Sequence, residues 1–329
     1  MISARNTPQR RKYQKNIAAF LLPFLVSATA VSAVVFPKDP LVQLAESYQA
    51  RYQYQQAYPL WEEIVKRYPR DPAVAIRVSE LKLLFENREA SRQLLTAMLA
   101  EPTSAASGEA GAALRAALSK ISSVFLTDEG QSSFAQAEVK ARHQEYEKAL
   151  PLLNQAALLE KGNFKVTSLK AHCEKQLGAW EVWYETIKVA HTENPVDEPT
   201  RDALAEGHLY FKSPKKTIAL LKDKIENSKS NQLRLIYAMA LLDSGDLSTA
   251  LPLFQKIIER NRSQPVSPVV FYGAAKALES RPHRDEEAQA YYEKFLSLTP
   301  KASPTEPKAW DPFRGQERRE EVETILKTS

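Results

Sequence analysis

Apolar and polar positions between residues 57 and 300 recur at helical spacing rather than in strict alternation, and the pattern itself repeats. A small residue is followed by a bulky one at +4, an apolar or small one at +7 and often a proline at +12. Ala57, Trp61, Ile64 and Pro69 set the pattern; Ala90, Leu94, Ala97 and Pro102 repeat it, as do Ala288, Tyr292, Phe295 and Pro300. Ala149 continues with Leu153 and Ala156, and Ala250 with Phe254 and Ile257. Trp183, Ile187, Ala190 and Pro195 fit except that Trp stands where a small residue is expected. Thr217 is the weakest anchor, with Leu221 at +4 but Lys224 at +7. Offsets 0, +4 and +7 share one face of a helix, and proline beyond them ends it.

The anchors 57, 90, 149, 183, 217, 250 and 288 are separated by 33, 59, 34, 34, 33 and 38 residues. That spacing predicts helix–turn–helix units in which a small anchor lets two helices approach and the bulky +4 residue fills the gap. No such unit buries its apolar face alone, so neighbours must stack, which predicts an all-α solenoid. The long interval leaves room for a loop of small residues, 101–112, and one extra helix, Ala113–Phe125 (about 113–126), with Leu114, Leu118, Ile121 and Phe125 on one side. Pro59, Pro151 and Pro252 each come two residues after an anchor and read as helix-start devices. At the other end, residues 301–329 contain a Pro-containing extended tail with Trp310 and Phe313, then a polar helix, Gln316–Lys327, read as a cap.

One unit carries Leu41, Leu44, Ala45, Tyr48, Tyr54, Ala57, Trp61, Ile64 and Pro69; another carries Tyr237, Ala238, Leu241, Gly245, Asp246, Ala250, Phe254 and Ile257. On these residues the chain resembles the tetratricopeptide repeat (TPR) family over roughly residues 38–300, with Arg234 and Trp183 as departures. The resemblance implies a right-handed superhelical solenoid over residues 37–300, with a concave groove lined by the first helix of each unit. Its groove positions fall on Phe134, Glu138 and Arg142, then His172 and Lys175, then Asp202, Glu206 and Tyr210, then Met239. A partner site is expected across residues 130–264, with Phe134, Tyr210 and Met239 giving apolar contact and the charged residues setting register. The paired Lys and Asn with which some family members hold a terminal carboxylate are absent. The resemblance therefore implies a protein-interaction scaffold or assembly factor that takes an extended or helical peptide.

Charge distribution sets the compartment. The formal net charge is +5, yet Arg5, Arg10, Arg11, Lys12 and Lys15 are the only charged residues in 1–33. The remainder holds 40 basic and 40 acidic residues, so no nucleic-acid-binding face is expected. Those five cations precede the apolar run Ile17–Val26 and the small residues Ser27–Ala33. Residues 1–36 thus read either as a signal peptide cleaved near Val31 or Val34, or as one uncleaved anchor, Ile17–Phe36. Both place the rest of the chain outside the cytoplasm. With Cys173 the only cysteine, no intrachain disulfide is possible. A protein facing the periplasm of a bacterial cell envelope, touching the membrane through its N-terminal segment if uncleaved, fits this usage.

Candidate chemistry changes little. The histidines at 143, 172, 191, 208 and 283 have no metal-ligand spacing, and no phosphate-binding loop or nucleophile motif is present. No catalytic residue, metal or cofactor is expected. Trp180, Trp183 and Tyr184 form the densest aromatic cluster; with the groove carboxylates they support an alternative, a glycan-binding or glycan-processing envelope protein. The leader gives the first prediction. A reporter active only outside the cytoplasm, fused after residue 40, should be active; activity of a cytoplasmic reporter instead would overturn the assignment.

Overall fold

The computed structural model describes residues 36–101, 107–226, 228, 230–260, 267–279, 281, 285–301 and 310–328. Residues 1–35, and with them the leader up to Val35, lie outside the described residues, as do Pro102, Pro304 and Pro307. Among the described residues there are sixteen α-helices and no strand, and no helix is long and apolar enough to cross a membrane. They fall into two compact units, divided between Asp197 and Glu198.

The first unit contains the pairs α1 (Pro40–Ala50) with α2 (Tyr54–Arg67) and α3 (Pro72–Phe85) with α4 (Arg88–Ala100). The extra helix α5 (Gly108–Ser123) comes next, then α6 (Asp128–Arg142) with α7 (Tyr146–Leu159) and α8 (Phe164–Gln176) with α9 (Trp180–Glu193). The second unit contains α10 (Glu198–Tyr210) with α11 (Pro214–Leu221), α12 (Asn231–Asp243) with α13 (Leu247–Arg260), α14 (Val269–Leu278) with α15 (Asp285–Leu298), and the terminal α16 (Gly315–Thr328). The extra helix therefore starts five residues earlier than its apolar spacing indicates, and α16 is one residue longer at each end than expected.

One turn is repeated in both units. Tyr52, Gln144, Gly178, Lys212 and Gly245 all have φ between +54° and +88°, and each lies five residues before its anchor. The next residue's N–H bonds the carbonyl five residues back: Gln53 to Tyr48, Glu145 to Lys140, Ala179 to Glu174, Ser213 to His208 and Asp246 to Leu241, at 2.8–3.0 Å. This is the Schellman arrangement, which satisfies a free carbonyl at a helix end and reverses the chain. Glycine adopts that backbone freely at only two of the five positions. N-caps complete the other ends: Asp71, Asn87, Thr127 and Ser230 each accept a bond from a backbone N–H three residues on.

Anchors Ala57, Ala149, Trp183, Thr217, Ala250 and Ala288 are all buried, as are their +4 partners Trp61, Leu153, Ile187, Leu221, Phe254 and Tyr292. The second pair departs from the expected register. Ser91, Leu95 and Met98 are buried while Ala90 and Leu94 are half-buried and Ala97 is exposed, so the anchor is Ser91, one residue later. Its hydroxyl bonds the Ser79 carbonyl of α3, a contact that Ala90 could not make. Lys224 behaves as its polarity demands: α11 stops at Leu221 after eight residues. Pro59, Pro151 and Pro252 are not at helix starts but in the second turn, on exposed positions where the carbonyl they leave unbonded can meet water. In the second unit Gly273 admits the Phe254 ring, which would lie 2.3 Å from any added Cβ.

The break in the period is closed by buried charge. Helix α5 packs on α3, α4 and α8. Arg88, on α4, donates to the carbonyls of Ile121 at 2.7 Å and Val124 at 2.8 Å and to the Glu160 carboxylate at 3.0 Å. Glu160 also accepts from the backbone N–H of Leu126 at 2.8 Å and of Thr127 at 2.7 Å, and from the Thr127 hydroxyl at 2.7 Å. Arg92 donates to the Gly162 carbonyl, Asn163 to Val124, and Ser122 to the Glu193 carbonyl. Side chains of Arg88 and Glu160 are 3% and 0% exposed, so neither charge has water to fall back on. Removing one partner of such a pair costs about 3–5 kcal/mol. Glu160→Ala and Arg88→Met should each lower unfolding free energy in urea by that amount. A loss no larger than that of a surface ion pair, under about 1 kcal/mol, would show that the pair is not the tie.

Candidate functional site

The groove positions divide between the two units. Phe134, Glu138, Arg142, His172 and Lys175 belong to the first; Asp202, Glu206, Tyr210 and Met239 belong to the second.

In the first unit, Phe134, Glu138 and Arg142 recur every four residues along α6 and so share its face. Phe134 is half-buried, with its ring 5.0 Å from Phe125. Glu138 and Arg142 pair at 2.7 Å with side chains 44% and 69% exposed, a geometry that contributes little to stability and leaves both charges in solvent. Across the α6–α7 turn, the Tyr146 ring meets the edge of His172 at 5.8 Å. This contact puts the end of α6 beside the end of α8. Lys175 holds its ammonium 5.0 Å from the Trp183 ring. The result is a polar face with two aromatic edges, both charge signs and an imidazole.

Trp183 is 1% exposed and fills the space at its anchor. It cannot stack on a sugar, which removes the central aromatic of the glycan alternative. Cys173 is buried too, and burial pushes its thiol up to about 11, so it is an inert core residue. Among the described residues no group of three or more His, Cys, Asp or Glu is arranged to hold a metal ion.

The second unit holds a different arrangement. Met239 is fully buried in the core cluster, which corrects its expected place in the groove. The inner side of α12 is apolar almost throughout from Leu233 to Leu242, so a methionine there packs rather than projects. Asp202 is taken by its neighbour Arg201 at 2.7 Å. Tyr210 packs against Trp310 with ring centroids 4.7 Å apart, and the Trp310 indole N–H donates to Glu206 at 3.2 Å. Two of the expected contact residues of this unit are thus covered by the chain's own C-terminal segment.

That segment extends further along the first helices. Arg314 and Arg318 both donate to Asp243 of α12 at 2.9 Å, and the Arg318 guanidinium lies 4.7 Å from the Tyr272 ring of α14. Tyr272 donates to Glu321 at 2.7 Å, and Lys276 pairs with Glu321 at 3.1 Å. Burial opposes the charge on Arg318, but Asp243 and Tyr272 together more than offset it and its pKa is raised. Burial likewise pushes the Tyr272 phenol up to about 12. Asp243 and Tyr272 escaped sequence reasoning; the signal that could have found their partners is the four-residue spacing of Arg314, just before α16, and Arg318, on the helix whose other side carries Val322, Ile325 and Leu326.

No family model matches the chain, and no curated protein matches it. Solved structures do. YrrB, described as a TPR protein with an unusual peptide-binding site, is 18% identical over 51% of this chain and 85% of its own, with a TM-score of 0.44. MamA from Desulfovibrio magneticus RS-1, residue 41 to the end, is 14% identical over 52% of this chain and 96% of its own, also at 0.44. MamA of AMB-1 is 17% identical over 53% and 100%, again at 0.44. By the period of its helix pairs, their buried anchors and their common turn, the chain is a TPR-like repeat protein.

Beside Lys175 on α8 sits a carboxylate whose placement makes stability depend on pH. Glu174 is 3% exposed and one of its oxygens has no hydrogen-bond partner. Burial raises its pKa, with Thr186 and Lys170 only partly opposing. The folded state therefore holds this proton more tightly than the unfolded chain, and stability falls as pH rises above the ordinary glutamate value of 4.5. Glu174→Gln should melt higher than the parent at neutral pH, with the difference closing as pH approaches 4.5. A variant that melts lower at neutral pH would show that its pairing with Lys170 outweighs burial.

Proposed function

We propose that the protein is a non-catalytic interaction scaffold, exported to a bacterial cell envelope and facing the periplasm, that binds a peptide or protein segment on the α6–α8 face of its first unit. The observation that carries the reading is the set of Glu138, Arg142 and His172, with both charges in solvent, framed by Phe134 and Tyr146. Charges that add little to stability and stand in solvent are suited to orienting a ligand, while the half-buried aromatic supplies apolar contact. The location rests on the N-terminal sequence alone, with its cations, apolar run and small residues. A peptide-binding site is what the description of YrrB prints for that protein; here it is part of the proposal.

Photo-cross-linking in cells tests it. A cross-linker at position 138 or 172 should trap a defined partner. One at Leu158, which is 75% exposed on α7, should not. Arg142→Glu should weaken capture severalfold in a salt-dependent way, and Phe134→Ala at least about tenfold, since truncating an aromatic anchor typically costs about 2 kcal/mol. Equal capture from positions 138, 172 and 158, or unchanged capture by both variants with helicity intact, would overturn the reading.

A further inference from the structure

The C-terminal segment packs its helix on α15, where Arg319 donates to the Leu296 carbonyl, and reaches the first helices of the second unit with a row of side chains, as a ligand would. Trp310 takes Tyr210 and Glu206 on α10, Arg314 and Arg318 take Asp243 on α12, and Arg318 takes the ring of Tyr272 on α14. These contacts fall on three successive first helices, the elements on which a repeat protein of this kind presents its binding positions. In these contacts the repeats accept and the segment donates, through an indole N–H and then two guanidinium groups four residues apart, while Glu321 of the segment accepts from Tyr272 and pairs with Lys276. Asp311 organises the segment's own turn, accepting from the N–H of Phe313 at 2.9 Å and of Gly315 at 2.5 Å. Phe313 and Val322 are buried against the unit's core. The segment thus has an aromatic anchor, an apolar side and a charged register.

We propose that the first-helix face of the second unit is a peptide-binding surface, that residues 310–328 occupy it as a tethered internal ligand, and that it accepts in their place an amphipathic peptide of the same pattern. Such a peptide carries an aromatic residue, then an arginine just before a helix and a second arginine four residues later within it. The face has the matching chemistry, with Glu206 and Asp243 as anionic acceptors and Tyr210 and Tyr272 as aromatic platforms for an indole and a guanidinium. Only residues 302–309 join the segment to the body of the unit. A tether that short raises the segment's effective concentration to the millimolar range, so an external peptide competes poorly until the tether is cut or the segment is drawn away by a partner. The inference rests on the reading that first-helix faces bind peptides, but it concerns a different unit and a different probe, so either can fail alone.

The test keeps every residue of the protein present. A site-specific protease sequence is placed within residues 302–309 of the full chain, and a fluorescein-labelled synthetic peptide of residues 310–328 is the probe. Anisotropy should report no binding to the uncut chain and saturable binding after cutting. A peptide with Trp310→Ala and Arg318→Glu should bind at least about tenfold more weakly. Asp243→Ala in the cut chain should weaken the parent peptide similarly while leaving the chain's helicity unchanged. Failure of the peptide to exchange into the cut chain, or loss of helical structure once the segment leaves, would show a permanent structural cap and overturn the proposal. Equal binding of parent and variant peptides would overturn it too. If the Asp243→Ala chain fails to fold, the variant peptide on the parent chain still decides.

Discussion

Every helix pair in both units depends on how closely two helices can approach at one position. Alanine, serine or threonine at all but one of the anchors leaves room for the bulky side chain four residues later, and burial of that side chain is the main stabilising contribution of each pair. The turn five residues earlier is a consequence of this constraint. In five of the pairs the chain brings the anchor face onto the preceding helix by reversing within one residue of left-handed backbone, whatever side chain stands there. Tyr52, Gln144 and Lys212 accept a conformation that disfavours side chains with a Cβ, so packing outweighs local preference at these turns.

Trp183 shows how far the anchor tolerates change. A large ring replaces a small residue, yet it is buried and its electron-rich face meets the Lys175 ammonium. Gly273 makes the opposite adjustment, giving up its side chain so that the Phe254 ring can come close. The summed volume across a helix contact is what the fold conserves, and it can be supplied from either side.

Period, anchors and the existence of an extra helix were legible because they rest on local apolar spacing. The register of α4 was not. Ala90 fits the pattern better by composition, but the Ser91 hydroxyl has a carbonyl to bond on α3, and only three-dimensional pairing reveals that. Start points of α5 and α16 were missed for a related reason: Gly108 and Gly315 are poor helix formers, so local preference gives no sign that a helix begins at either. At the candidate site, exposure was the quantity the spacing could not supply. Glu138 and Arg142 do face solvent, whereas Met239 sits on a helix apolar on nearly every side, so no period distinguishes its inner from its outer positions. The engagement of Tyr210 and Glu206 by Trp310 spans about a hundred residues of sequence and leaves no local trace.

The knot around Arg88 has a bearing on how the first unit comes together. A regular repeat array touches only its neighbours along the chain, and so can grow or fray one pair at a time. Here Arg88 reaches Glu160, 72 residues on, and Ser122 reaches Glu193, 71 residues on. Each link spans about two repeat lengths, and Arg88 also holds the end of α5 through the Ile121 carbonyl. Loop closure on that scale slows assembly, since the ordering cost precedes the contacts that compensate for it. The same links tie α4, α5 and the end of α7 together, so partial opening at either end of the unit should stop there, and the middle of this unit is expected to exchange its amide protons last.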